Sequence, residues 1–190
     1  MFNGYFQNKE LTNEKIVDGW YETGDVVTFN DQNLGFKIVG SIENLIKLGD
    51  GVFVSANKLE NIYIKVKYVW QICVIGINQK IVAVVVPSKK KVLDFLIYNK
   101  IIENSENLVK LDNIDNINID SYLSNKELIS EISKEFEIVH NTDRSLTKHE
   151  KIENIYLSAS NFSFQNGLID GKGRINRKKI ERYYLDNKTN

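Results

Sequence analysis

The residues of this chain that carry chemistry are few and unevenly placed. Cys73 is the only cysteine among 190 residues. Ile72, Val74 and Ile75 surround it, which suits a buried thiol on a strand better than a nucleophile. A single cysteine excludes an intrachain disulfide and points to a reducing compartment. The two histidines, His140 and His149, have no cysteine or paired carboxylate at metal-ligand spacing, so no metal is expected in this segment. Neither a Ser-His-Asp order nor a phosphate-cradling glycine loop can be assembled. Positive charge gathers in Lys89-Lys90-Lys91 and over residues 172–182, and both read as solvated helix faces. Within the second stretch Lys172 and Arg174 stand two apart, a spacing that puts side chains on one face of an extended segment. Thr23-Gly24-Asp25 places a carboxylate at a turn that leads into a β-rich run.

Bulk properties narrow the class. Basic and acidic residues are balanced at 25 each, so no global field draws the chain to nucleic acid or to an anionic membrane. Hydrophobic residues make up 42%, enough for a packed core. The apolar runs at 68–77 and 81–86 fall well short of the ~20 residues that a membrane-spanning helix needs. No secretory signal is visible at the N-terminus.

The elements that must position these residues can be read from pattern. Residues 11–17 are helix-like, with Thr12 or Asn13 as the cap. Residues 25–29 and 35–39 form a hairpin around a polar loop, and a hairpin with one short helix buries little by itself. From Ser41 a denser α+β pattern begins. A short apolar run ends in the turn Gly49-Asp50-Gly51, then Ser55 caps a helix whose buried face is Leu59, Ile62, Tyr63 and Val66. Residues 68–77 and 80–86 are strands joined through Asn78-Gln79, and Pro87 ends the second. Residues 92–98 are helical, 103–120 form an Asn-rich loop insertion, and a helix follows from Leu128 through His140. A strand at 151–158, a hairpin at 166–175 and a helix at 177–185 complete the chain.

Three segments in order resemble one superfamily. Gly19-Trp20-Tyr21-Glu22-Thr23-Gly24-Asp25 is similar to the W-[FY]-x-T-G-D motif of adenylate-forming enzymes. GSIENLIKLGDGVFVSANKLENIY, from Gly40 to Tyr63, resembles the hinge segment of the same enzymes. Phe162 to Arg177, FSFQNGLIDGKGRINR, resembles the long-chain form F-[ST]-x-E-N-G-L-L-T-P-T-x-K-x-[KR]-R. The strands around Gln71 and Pro87 also look like the long-chain fatty acyl-CoA synthetase branch.

The resemblance implies an α+β fold. It is the small mobile C-terminal domain of the adenylate-forming superfamily (41–190), preceded by a β-hairpin from the end of the large AMP-binding domain (1–40). It implies part of a ligase that joins a fatty acid to CoA through an acyl-adenylate, releasing AMP and pyrophosphate. ATP and CoA would be co-substrates, Mg2+ would arrive with ATP, and the missing N-terminal domain would be the partner. No nucleic acid is implied, and the setting is cytoplasmic or peripheral on an intracellular membrane. Taken alone, the 190 residues are expected to be inactive.

By the same resemblance Asp25 would accept hydrogen bonds from the ribose hydroxyls, since one carboxylate can take two vicinal hydroxyls. Tyr21, Thr23 and Ser41 would border the nucleotide, and Glu43 would fall at the hinge. Lys47 would face the active site in the thioester-forming pose, with Gly49, Asp50 and Gly51 in the loop beside the pantetheine tunnel. Three departures stand out. Ser41 replaces an arginine, Val52 replaces a glutamate, and Arg174 occupies the position of the catalytic lysine. A planar fork is not a compact ammonium, so Lys172 is the alternative cation. A degenerate, non-catalytic binding or regulatory protein is the rival reading.

Overall fold

The computed structural model describes residues 2–30, 35–102 and 118–186. The expected loop of the first hairpin and most of the Asn-rich insertion lie outside the described residues. The chain divides into two compact units, residues 1–45 and 46–190, five positions beyond the division expected at Gly40.

In the first unit, α1 (Lys9–Lys15) is capped by Asn8, whose Oδ1 accepts from the Leu11 amide at 3.0 Å. The cap is thus not Thr12 or Asn13. The Thr12 hydroxyl lies inside the helix, where it donates to the Asn8 carbonyl and accepts from the Tyr5 amide. Next, β1 (Ile16–Val17) and β2 (Trp20–Tyr21) pair antiparallel. Asp18 and Gly19 between them both adopt positive φ, 51° and 80°, which a tight primed turn requires. The expected hairpin is β3 (Asp25–Asn30) with β4 (Gly35–Ser41), kinked by a register shift between Val26 and Val27. Val27, Phe29, Phe36 and Ile38 on it are exposed, and among the described residues the buried apolar core begins only at Ile46.

The second unit is built on β7 (Val69–Ile77), β8 (Lys80–Pro87) and β9 (Asn154–Leu157). β7 and β8 are antiparallel, joined by Asn78 and Gln79 at φ 49° and 65°, and β9 runs parallel to β8. The two long strands read as continuous apolar runs because both faces of the sheet are covered. Ile72, Val74, Ile81, Ala83 and Val85 pack on one side with buried residues of α2 (Ala56–Tyr63), α3 (Lys89–Tyr98) and α4 (Lys126–Thr142). Cys73, Ile75, Val82, Val84 and Val86 pack on the other with Phe162, Leu168 and Ile180. The last of these lies on α5 (Arg177–Asp186).

Helix boundaries follow their caps. The Ser55 hydroxyl accepts from the Lys58 amide to start α2, and Asn125 Oδ1 accepts from the Leu128 amide to start α4. β5 (Leu45–Lys47) and β6 (Phe53–Ser55) pair across the 49–51 turn. The expected strand at 151–158 is shorter, Asn154–Leu157, and a capping box between Thr147 and Glu150 precedes it. Ile119, expected inside a loop insertion, is instead buried in the core.

Candidate functional site

Each unit carries candidate residues of its own. In the first, Asp25 opens β3 and is paired in register with Ser41 on β4, so the carboxylate and the hydroxyl residue share one end of the hairpin. The Thr23 hydroxyl accepts from the Asp25 amide at 3.1 Å, and the Ile42 amide donates to the Gly24 carbonyl at 2.8 Å. Thr23-Gly24 thus shapes the turn that presents Asp25, with Gly24 at φ 74°. All three residues from Thr23 to Asp25 are accessible or nearly so. The Tyr21 hydroxyl lies 3.1 Å from that of Tyr5. Glu43 sits exposed in a single 3-10 turn (Ile42–Asn44) that follows Ser41 directly.

In the second unit, Lys47 is exposed at the end of β5, with its ammonium 6.0 Å from the Phe53 ring centroid. Gly49-Asp50-Gly51 forms the tight turn between β5 and β6, closed by hydrogen bonds between Leu48 and Val52 and between Gly51 and Leu48. Asp50 does two jobs there. Its Oδ1 accepts from the Val52 amide at 3.1 Å, while Oδ2 lies 3.1 Å from His149 Nδ1. A cleft of about 710 Å³ opens beside this turn, bordered by Gly49, Asp50, Gln79, Lys148, His149 and Lys151. The link from Asp50 to His149 was not legible in sequence, where nothing relates the two positions.

The expected hairpin is present as a short one, with the Asp170 amide donating to the Arg174 carbonyl and the Asn176 amide to the Leu168 carbonyl, both at 2.8 Å, but residues 171–173 form its turn and are not extended. Only Ile169 and Ile175 form a bridge, and Gly173 has φ 78°. Strand parity therefore does not apply to Lys172 and Arg174. The turn is organised by Asp170, which is intermediate in exposure while Lys172 and Arg174 are exposed. Its Oδ1 accepts from the amides of Lys172 and Arg174, both at 2.9 Å. Its Oδ2 accepts from Arg174 Nε at 2.9 Å and lies 2.8 Å from Nη2. The Arg174 amide foremost, then its side chain and the Lys172 amide, hold the Asp170 carboxyl below its usual range, outweighing an opposing effect of burial. Among the described residues no hydrogen bond joins this turn to Lys47 or to the 49–51 loop.

Arg177 departs from the expectation of a solvated basic face at 172–182. It begins α5 but points inward, and its side chain is only 14% exposed. Nη1 donates to Glu60 Oε1 at 2.6 Å and to Cys73 Sγ at 3.3 Å, while Nη2 donates to Glu60 Oε2 and to Asn57 Oδ1. Glu60 in turn accepts from the Val74 amide at 2.7 Å. Burial alone would lower the guanidinium's affinity for its proton, but the hydrogen bond and charge of Glu60 outweigh it and raise the pKa. Burial pushes the Cys73 thiol up to about 12, and the nearby arginine offsets this only in part. The buried thiol read from its neighbours is thus present, without nucleophilic character at neutral pH. The constellation ties α2, β7 and α5 together three residues after Arg174.

Comparison with known proteins agrees with this architecture. The fold is that of the C-terminal domain of adenylate-forming enzymes. The adenylation domain of a carboxylate reductase from Mycobacterium chelonae superposes over 98% of this chain and 25% of its own, with a TM-score of 0.70 at 25% identity. Among curated proteins the relatives are long-chain acyl-CoA synthetases. Fatty acyl-CoA synthetase B of Dictyostelium discoideum is 28% identical over 187 residues, 97% of this chain and 25% of its own length. Long chain acyl-CoA synthetase 1 of Arabidopsis thaliana is 43% identical over 94 residues, 48% of this chain and 14% of its own. The chain spans about a quarter of the length of the relatives that match it throughout. No family model matches the chain.

Proposed function

We propose that this chain acts as the mobile C-terminal part of a long-chain fatty acid–CoA ligase. The observation that carries the reading is the match to long-chain synthetases over 97% of the chain, with Asp25, Gly49-Asp50-Gly51 and Arg174 exposed at or beside turns. In this reading residues 1–40 continue a large AMP-binding domain and 41–190 form the swinging domain. Asp25, with Tyr21, Thr23 and Ser41 beside it, meets the ribose of ATP and of the acyl-adenylate. Arg174 or Lys172 supplies positive charge to the carboxylate and α-phosphate during adenylation, where charge gathers in the transition state. After the swing about Glu43, Lys47 and the 49–51 loop line the path of CoA. ATP brings Mg2+. The phosphate loop and acyl pocket belong to the partner domain, and the setting is cytoplasmic or peripheral on an intracellular membrane.

The test joins this chain to the preceding three quarters of the Dictyostelium synthetase. Palmitate-dependent ATP–pyrophosphate exchange and palmitoyl-CoA formation are then followed for the chimera and for the 190 residues alone. The chimera is expected to support both reactions and the isolated chain neither. Exchange by the isolated chain, or a folded chimera silent in both assays, contradicts the proposal. The second outcome favours the non-catalytic reading, which the replacement of three charged positions by Ser41, Val52 and Arg174 already motivates.

A further inference from the structure

Arginine at a position suited to lysine raises a physical problem that the Asp170 turn addresses. A guanidinium is a planar fork on a long stem, and its direction decides which edge meets an anion. Left in solvent it samples many rotamers, and ordering it on binding costs affinity. Here it is not left free. Nε and Nη2 both engage Asp170 Oδ2, which occupies one edge of the fork. Nη1 has no protein partner among the described residues, and the side chain is 71% exposed. The opposite edge of the guanidinium, Nη1 with the remaining Nη2 proton, is therefore presented to solvent in a fixed orientation. The same carboxylate holds the backbone of the turn through Lys172 and Arg174. Gly173 at φ 78° lets the chain close around it.

We infer that Asp170 is a positioning residue that presents the outer edge of Arg174 to an anionic phosphate group. The inference rests on the proposed function for the identity of that anion, an α-phosphate or phosphate monoester next to a nucleoside. Asp170 and Arg174 then act as a unit. The aspartate replaces, by orientation, what a lysine achieves by being compact. Its charge opposes the approach of an anion, but the pair lies in solvent, whose high dielectric weakens that repulsion.

The experiment uses the 190-residue chain with AMP as the probe and adenosine as the control. The Nε–H signal of Arg174 is followed by 1H–15N NMR in about 0.15 M salt. AMP is expected to shift it in a saturable manner, and adenosine is not. Asp170→Asn keeps a side-chain oxygen for the two turn amides but removes the acceptor facing the guanidinium. This variant should retain the amide signals of residues 171–175 and bind AMP about three- to tenfold more weakly, the effect of freeing one long side chain. In an Arg174→Lys background, where AMP binding is read from the backbone amide shifts of residues 171–175, the same change should leave binding within about twofold, because no fork remains to be oriented. Undiminished AMP binding by Asp170→Asn overturns the inference, as does equal weakening in the lysine background or a parent signal that AMP does not move. If Asp170→Asn disturbs the 171–175 amides, Asp170→Ser, which also offers an oxygen to the turn, carries the same comparison. Failure of the chimera to adenylate would refute the proposed function and leave this titration unaffected, so the two are separable.

Discussion

Replacing Arg177 by methionine tests the argument that this arginine is structural. Methionine keeps much of the apolar stem and removes the guanidinium. Glu60 then loses two charged donors and, among the described residues, retains only the Val74 amide. Removing one partner of a buried ion pair typically costs about 3–5 kcal/mol, because the other charge is stranded. Both side chains keep an opening to solvent, 14% exposed each, which shifts the cost down from that range to about 2–4 kcal/mol. Asn57 and Cys73 also lose their contacts with the guanidinium, which adds little because both are neutral partners. For a urea dependence of about 2 kcal/mol per molar, the unfolding midpoint should fall by about 1–2 M. Adding Glu60→Gln removes the stranded charge while keeping an oxygen for the Val74 amide. The double variant should therefore recover about 1 kcal/mol or more relative to Arg177→Met. Urea melts monitored by Trp fluorescence and by circular dichroism supply the numbers. A loss below about 1 kcal/mol for Arg177→Met, or a further loss on adding Glu60→Gln, refutes the reasoning.

Two other consequences are open to measurement. With its pKa near 12, Cys73 should react with iodoacetamide at pH 8 at least about a hundredfold more slowly in the folded chain than in urea, and similar rates would contradict its burial. Glu150 is held by Lys58 at 2.7 Å and by the Thr147 amide at 2.8 Å. Burial opposes its ionisation, yet these bonds prevail and lower its pKa below the ordinary 4.5. Its stabilisation is therefore present above that ordinary value and is lost as pH falls through the lower folded value. Glu150→Gln should lower the thermal midpoint at pH 6, and the gap should narrow progressively as pH falls below the ordinary 4.5; a gap that does not narrow in acid would exclude this linkage.

Local signals in the sequence determined much of the second unit. The apolar runs around Asn78-Gln79, the Ser55 cap and the spacing of Leu59, Tyr63 and Val66 each act over a few residues, and each appears in the fold. The motifs around Asp25 and Gly40 to Tyr63 likewise sit where turns and caps hold them. Where local chemistry offered several answers, the structure chose. Asn8 took the first cap because its oxygen was free, and the Thr12 hydroxyl was engaged within the helix. Residues 170–174 became a turn because one carboxylate collected amides two and four positions ahead. The parallel seat of β9 beside β8 was beyond the sequence, since α3 and α4 intervene and strand pairing leaves no mark on either partner alone. The same holds for charge. Lys172, Arg174 and Arg177 look alike as a basic run, but one is a solvated lysine, one is oriented by Asp170 at the surface, and one is buried against Glu60. What a charged group does depends on its burial and on the distance to its counter-charge. Residue type alone does not specify either, because the elements that bury Arg177 come from α2 and β7, far away along the chain.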